Sequence, residues 1–273
     1  MSRLLCLALA LLAGTQPATG DPVATQGPVV ALLIDDMGYR LEEGEAALGL
    51  PGPLAYSFLP YTPHARALAE QARALGREIL LHLPMEAERD NHLLGPGALL
   101  GSMDRARIEQ TLEADLAALP PVIGVNNHMG SRLTREPMPM HWLMEGLRRH
   151  GGLIFIDSRT TAATVAATVA RQYGLAQLSR DVFLDNRDDP AAIREQFRRW
   201  LRRAWLHGHS LAIAHPRPAT LAVLALELPR LRQHGVRLVS LEEFYRYKSR
   251  RQTWQSASSS PWPKAVKSSR PLP

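Results

Sequence analysis

Residues Val29 to Tyr39 read VVALLIDDMGY, a run of six apolar residues that ends on two adjacent aspartates and a glycine. An apolar run with no polar alternation is the pattern of a strand covered on both faces, as in a parallel sheet between helices. Packing gives no reason for carboxylates at its carboxyl end. In barrels of alternating strands and helices, that end is where the chemistry is done.

The same pattern recurs along the chain. EILL precedes His82, PVIGV precedes Asn126, Asn127 and His128, and GLIFI precedes Asp157. DVFL precedes Asp185, LAIA precedes His215, and LAYSF runs into the Leu59-Pro60 break. Helix signals fill the intervals. Thr62-Pro63 opens HARALAEQARAL, which Gly76 closes; Ser102 opens the stretch before Pro120; Asp189-Pro190 opens a helix that ends at Gly208. Further helices are predicted over 138–149, 161–173 and 219–234, with a short one over 40–48. With VRLVS as the last strand this makes about eight strand-helix alternations, without an internal repeat or a second domain boundary. A parallel sheet closed or nearly closed into a barrel fits best. A doubly wound open sheet is the alternative, but no glycine-rich phosphate loop follows the first strand.

Composition sets the outer limits. The 273 residues are 45% apolar, enough for one large core. Arg3, the stretch LLCLALALLAG and the small residues ending at Gly20 read as a signal peptide over 1–20, too short in its apolar part to span a bilayer. The lone cysteine, Cys6, lies inside it, so an exported chain has no thiol. The expected location is therefore the periplasm, with no transmembrane span in the mature chain. The net charge of +6 suggests nucleic acid until its distribution is read: seven Lys or Arg and no acid lie between Arg246 and Pro273. Setting those and Arg3 aside leaves the body near −2, so no nucleic-acid partner is expected. The reading is a domain over 21–245 and a basic, Ser/Pro-rich disordered tail over 246–273.

Adjacent carboxylates repel unless a cation or a shared proton relieves them. For Asp35 and Asp36 the natural remedy is a metal, one residue ligating while its neighbour, pointing elsewhere along the strand, faces substrate. The plainer alternative is a loop-start pair that caps the next helix. His82 lies in LHLPME, where Pro84 ends the strand and Glu86 follows closely. His128 closes GVNNHMGS, in which a turn accounts for Asn126, Asn127 and Gly130 but not for an imidazole. Catalytic zinc takes three nitrogen or oxygen ligands and keeps an open position, which favours His128 as a ligand. In FIDSRT, Asp157 is a candidate to orient a histidine and Arg159 to hold a carboxylate, with an Asp157–Arg159 ion pair as the plain alternative. His215, fixed before Pro216, is placed to donate a proton to a leaving group. The remaining histidines lie beside charged residues and read as surface or packing groups.

Taken in order from Val29 to Ser240, LLIDDMGY, LLHLPMEA, GVNNHMGS, FIDSRT, VFLDN and AHPRPATL resemble the divergent polysaccharide deacetylases of bacterial envelopes, relatives of the NodB-type carbohydrate esterases. The resemblance implies a distorted (β/α) barrel of about seven to eight parallel strands that uses a divalent metal, usually zinc, to remove acetyl groups from N-acetylated sugars. It implies Asp35 as general base, Asp36 as metal ligand and His215 as general acid. NodB-type enzymes carry two histidines four residues apart, whereas this chain has His82 and then Glu86, so His128 is inferred to supply the second imidazole. The function expected on this basis is metal-assisted hydrolysis of an acetamide on peptidoglycan or a similar glycan, with Asn127 or a backbone group steadying the oxyanion. Two other classes stay open: a glycan-binding scaffold that has lost turnover, and a metal phosphoesterase.

Overall fold

The computed structural model describes residues 27–258. Among these residues nine strands, all parallel, form one sheet: β1 (Val29–Met37), β2 (Ala55–Phe58), β3 (Glu78–Met85), β4 (Gly124–Met129), β5 (Ile154–Asp157), β6 (Ala176–Ser179), β7 (Val182–Phe183), β8 (His209–Ala214) and β9 (Arg237–Leu238). Their order is β6-β5-β4-β3-β2-β1-β8-β7, with β9 added to the start of β1. Helices α1 (Leu41–Leu48), α2 (Ala65–Ala74), α3 (Arg105–Ala118), α4 (Pro137–His150), α5 (Ala166–Gln172), α6 (Pro190–His207) and α7 (Pro218–Glu227) fall between strands, and α8 (Leu241–Ser258) follows β9. This is the distorted (β/α) barrel expected from the sequence.

The route by which its two edges are joined was not foreseen. β6 and β7 occupy opposite ends of the strand order yet are consecutive in the chain. The Arg180 amide bonds the carbonyl of Asp157 on β5 (3.0 Å), and the next amide, of Asp181, bonds Leu211 on β8 (2.9 Å). One run of chain thus passes from one edge of the sheet to the other. The side-chain phase slips there: Leu178 and Phe183 both belong to the inner apolar cluster although an even number of intervening residues separates them. Arg180 fills the seam, its guanidinium bonding the carbonyls of Ser158 (2.6 Å) and Arg159 (2.7 Å) and lying 3.6 Å over the Phe183 ring.

Two apolar clusters show how alternation divides the sheet. Val30, Leu32, Ile34, Leu81 and Phe155 face outward against Leu68, Leu112, Leu143 and Trp200 of the helices. Val29, Ala31, Leu33, Ala55, Leu80, Ile156, Leu211 and Ile213 fill the interior. Two residues further along each strand the same inner face turns polar: Asp35 after Leu33, Ser57 after Ala55, His82 after Leu80, Ser158 after Ile156, His215 after Ile213. The site is the top layer of the barrel filling.

The other end is sealed by α8. Leu241 and Phe244 are buried in the inner cluster, and the Glu78 carboxylate accepts from the amides of Leu241 (2.6 Å) and Glu242 (3.0 Å). The chain is therefore helical through Ser258, where the sequence reading placed a tail from Arg246 onward. Apolar residues at helical spacing find a partner only once the barrel bottom exists. The signal segment 1–20 and residues 259–273 lie outside the described residues. Helix starts also moved. Asp104, not Ser102, caps α3 by accepting from Arg107 N (2.8 Å), while Asp189 caps α6 through Ala192 N (2.8 Å) as expected.

Candidate metal centre

Asp35 and Asp36 sit on a β-bulge. Ile34 pairs with Tyr56 and Met37 with Phe58, so β1 carries one residue more than β2 over that interval. Asp36 takes up the excess at φ 57°, a left-handed conformation that costs on the order of 1 kcal/mol or more for a non-glycine residue. The bulge cancels the alternation that should separate the two side chains. Both reach the same imidazole: Asp36 Oδ1 stands 3.2 Å and Asp35 Oδ2 3.6 Å from His82 Nε2.

His82 on β3 and Asn126 on β4 are direct register partners, and His128 lies opposite Pro84 on the same face. His128 Nδ1 comes within 3.0 Å of Asp36 Oδ1 and 3.2 Å of His82 Nε2. Three potential ligand atoms, from residues 36, 82 and 128, therefore stand 3.0 to 3.2 Å apart. Oxygen and nitrogen ligands about 2.0–2.1 Å from a tetrahedral zinc stand roughly 3.3 Å from one another, so the cluster has the span such an ion needs. Asp36 Oδ1 is buried without a hydrogen bond of acceptable geometry, although two imidazoles adjoin it. A carboxylate and two imidazoles with one side open is the donor set of a catalytic zinc site, and these residues fit a divalent cation.

The neighbouring charges sort the acids. Burial pushes the Asp36 carboxyl up, but the His128 and His82 imidazoles more than reverse this and hold it well below the usual carboxylate range. For Asp35, burial wins over His82, His215 and the Asn126 hydrogen bonds, and its carboxyl is raised.

His215 stands on the far side of Asp36, its Nε2 3.8 Å from Asp36 Oδ2. Asp185, a polar strand end to which the sequence assigned no role, grips it twice: Oδ1 lies 2.9 Å from His215 Nδ1 and Oδ2 accepts from the His215 amide (2.7 Å). Thr220 Oγ1 donates to the same carboxylate (2.9 Å), and Arg217 donates to the Asp185 carbonyl (2.9 Å). Burial works to lower His215, but Asp185, Asp36 and Asp35 drive it up to about 9. A cleft of about 400 Å³ opens beside the pair, lined by Asp36, Tyr39, Arg40, Glu43, Asp188, His215 and Arg217.

Other candidates from the sequence have structural employment. Glu86 accepts from Gly101 N (2.6 Å) and pairs with Arg132 (2.7 Å), which ties the β3–α3 loop down. Asn127 is buried and held at both ends, accepting from Ser158 N (2.8 Å) and donating one amide hydrogen to the Met129 carbonyl (2.8 Å), so these bonds tie β4 to the end of β5. Asp157 reaches no histidine, and no ion pair joins it to Arg159 among the described residues. It accepts from Arg159 N (2.8 Å) and Thr164 Oγ1 (3.0 Å), which delays the start of α5 to Ala166. Ser57 and Ser158, which nothing in the sequence singled out, both bond Asn126.

Known proteins resemble this chain in sequence and in fold. An uncharacterized protein of Haemophilus influenzae is 36% identical over 217 residues, 80% of this chain and 76% of its own length. The uncharacterized protein YibQ of Escherichia coli K12 is 37% identical over 206 residues, 74% of this chain and 64% of its own length. The crystal structure of an uncharacterized Agrobacterium tumefaciens protein superposes with a TM-score of 0.75 at 23% identity, covering 80% of this chain and 89% of that one, and so shares the fold. The family model for divergent polysaccharide deacetylases matches residues 32–245, from within β1 to the start of α8 and across every residue of the centre. The chain belongs to the divergent polysaccharide deacetylase family.

Proposed function

We propose that the protein is an exported, periplasmic hydrolase that uses a divalent metal to remove N-acetyl groups from an envelope polysaccharide. The observation that carries the reading is the convergence of Asp36, His82 and His128 beside a carboxylate-clamped His215. A cation held by those three residues, zinc by the type of donors, supplies Lewis-acid polarisation of the acetyl carbonyl and eases the ionisation of water.

The chain's own groups handle the protons. Asp35 reaches the centre from the barrel interior and, with its carboxyl raised, is a better base than an ordinary aspartate; it accepts the proton of the attacking water. His215, protonated at neutral pH, gives its proton to the departing amine as the C–N bond breaks. Oxygen is added to the acyl carbon, the amine leaves neutral, and the products are acetate and a free amino sugar. The opposed shifts of two nearby groups assign base and acid. The cleft beside His215 lies within the size range of small-molecule sites and offers both carboxylates and guanidiniums to sugar hydroxyls.

The test is acetate release from peptidoglycan fragments and chitin oligomers, with chelation and zinc add-back, alongside fractionation of cells that express the full chain. Metal-dependent release supports the reading. Glycan binding without release would make the protein a scaffold, and cleavage of phosphate esters instead would make it a phosphoesterase.

A further inference from the structure

We infer that Asn126 is a positioning residue for the metal centre: its carboxamide joins Asp35 to His82 and thereby fixes which ring nitrogen of His82 faces the cation. The inference rests on the proposed metal site and adds to it a residue that touches neither metal nor substrate.

Asn126 is fully buried on β4, beside the strand that carries His82, and its side chain reaches Asp35 on β1 across the barrel interior. Its Nδ2 lies 2.9 and 3.0 Å from the two oxygens of Asp35 and 3.1 Å from Ser158 Oγ. Its Oδ1 lies 3.0 Å from His82 Nδ1 and also accepts from Ser57 Oγ. The polarity follows in steps. An ionised carboxylate only accepts, so the amide nitrogen must face Asp35. The amide oxygen then faces His82, and because it too only accepts, Nδ1 must carry the hydrogen. Nε2 is left as the ring atom presented to Asp36 and His128. Flipping the carboxamide would set its oxygen against the oxygens of Asp35, two acceptors with no hydrogen between them. The Ser57 and Ser158 hydroxyls rotate to suit either orientation, so they complete the arrangement without dictating it. Through one side chain, the residue proposed to take protons on β1 sets the tautomer of the ligand on β3.

The experiment is nitrogen-15 NMR of the histidines in the full protein, with and without zinc, together with zinc titrations of two variants. In the wild type the His82 Nδ1 hydrogen should be present and slow to exchange in both forms. Asn126→Leu, similar in shape but without polarity, should lose that protected signal and bind zinc roughly 10–100-fold more weakly. Asn126→Asp, which keeps the acceptor for His82 and loses the donor for Asp35, should retain the signal while acetate release falls. The inference is overturned by a wild-type His82 that carries its hydrogen only on Nε2, or by an Asn126→Leu protein with unchanged zinc affinity and ring signal. If Asn126→Leu does not fold, the wild-type spectrum and Asn126→Asp decide. A wild type that binds no zinc sinks the metal reading, and the position of the His82 hydrogen still settles this one.

Discussion

Two histidine–carboxylate groupings stand within about 4 Å of each other at the barrel mouth, built from the same residue types and suited to opposite tasks. In one, two imidazole nitrogens and a carboxylate oxygen crowd together at 3.0 to 3.2 Å, and Asp36 Oδ1 has no proper hydrogen bond. In the other, a single imidazole has a carboxylate to itself, and Asp185 is in turn satisfied by Thr220 and by the His215 amide. The lesson is in the ratio of lone pairs to hydrogens. A surplus of lone pairs at one point calls for a cation; a matched pair with its partners saturated stores a proton. Residue identity does not distinguish them, and neighbours do.

The comparison breaks first at Asp36. Asp36→Ala should abolish stoichiometric metal, a loss larger than the roughly 10–100-fold typical when only a ligand's hydrogen-bonding partner is removed. Full metal retention, measured by metal analysis of the purified variant, would show that the crowded group is not a metal site. Next comes His215→Ala, which should retain wild-type metal content while acetate release falls about 10²–10⁴-fold, the usual share of a general acid. Loss of metal in that variant would merge the two groupings into one.

Asp185→Asn sharpens the contrast. Against burial, Asp185, Asp36 and Asp35 together raise His215 from 6.5 to about 9, so its protonation contributes stability that is fully present below pH 6.5 and fades as pH rises through about 9, on the order of 3 kcal/mol at its fullest. The variant should lose the share that Asp185 supplies and lower the His215 titration, followed by NMR, part of the way toward the ordinary value. The alkaline limb of the activity profile should move down with it. A His215 that still titrates near 9 without Asp185 would refute the clamp. The smallest effect is expected at Asn127. Asn127→Ala removes two buried hydrogen bonds, so its melting temperature should drop by the equivalent of about 1–3 kcal/mol while kcat per bound metal stays near wild type. A collapse in kcat at full metal occupancy would return Asn127 to the oxyanion role the sequence reading gave it.

How much could be read without coordinates varied with how local the signal was. Apolar runs that end on Asp35, His82, Asn126, Asp157, Asp185 and His215 mark strand ends directly, because a side chain reports its own burial. Ala176–Ser179 escaped notice since its alternation shifts phase at Arg180 and Asp181, where the chain changes partner strands. Ser57 and Ser158 were invisible because a serine in a strand announces nothing. Glu86, Asn127 and Asp157 drew attention as polar groups near the right strand ends, but position along a strand does not say whether a side chain's valences are already filled by a nearby amide.

By itself the sequence determined the class of fold, the end of the barrel that is polar, and the residue types gathered there, since period-two alternation and its interruptions are properties of short segments. Only the tertiary structure decided which atoms meet. The bulge turns Asp36 back toward Asp35, β3 and β4 pair in a register that sets Asn126 against His82, and the pairing of β7 with β8 brings Asp185 to His215 across 30 residues. Those are distances between segments far apart along the chain, and a hydrogen bond or a metal ligand tolerates errors of only a few tenths of an ångström, far finer than any pattern of residue types can specify.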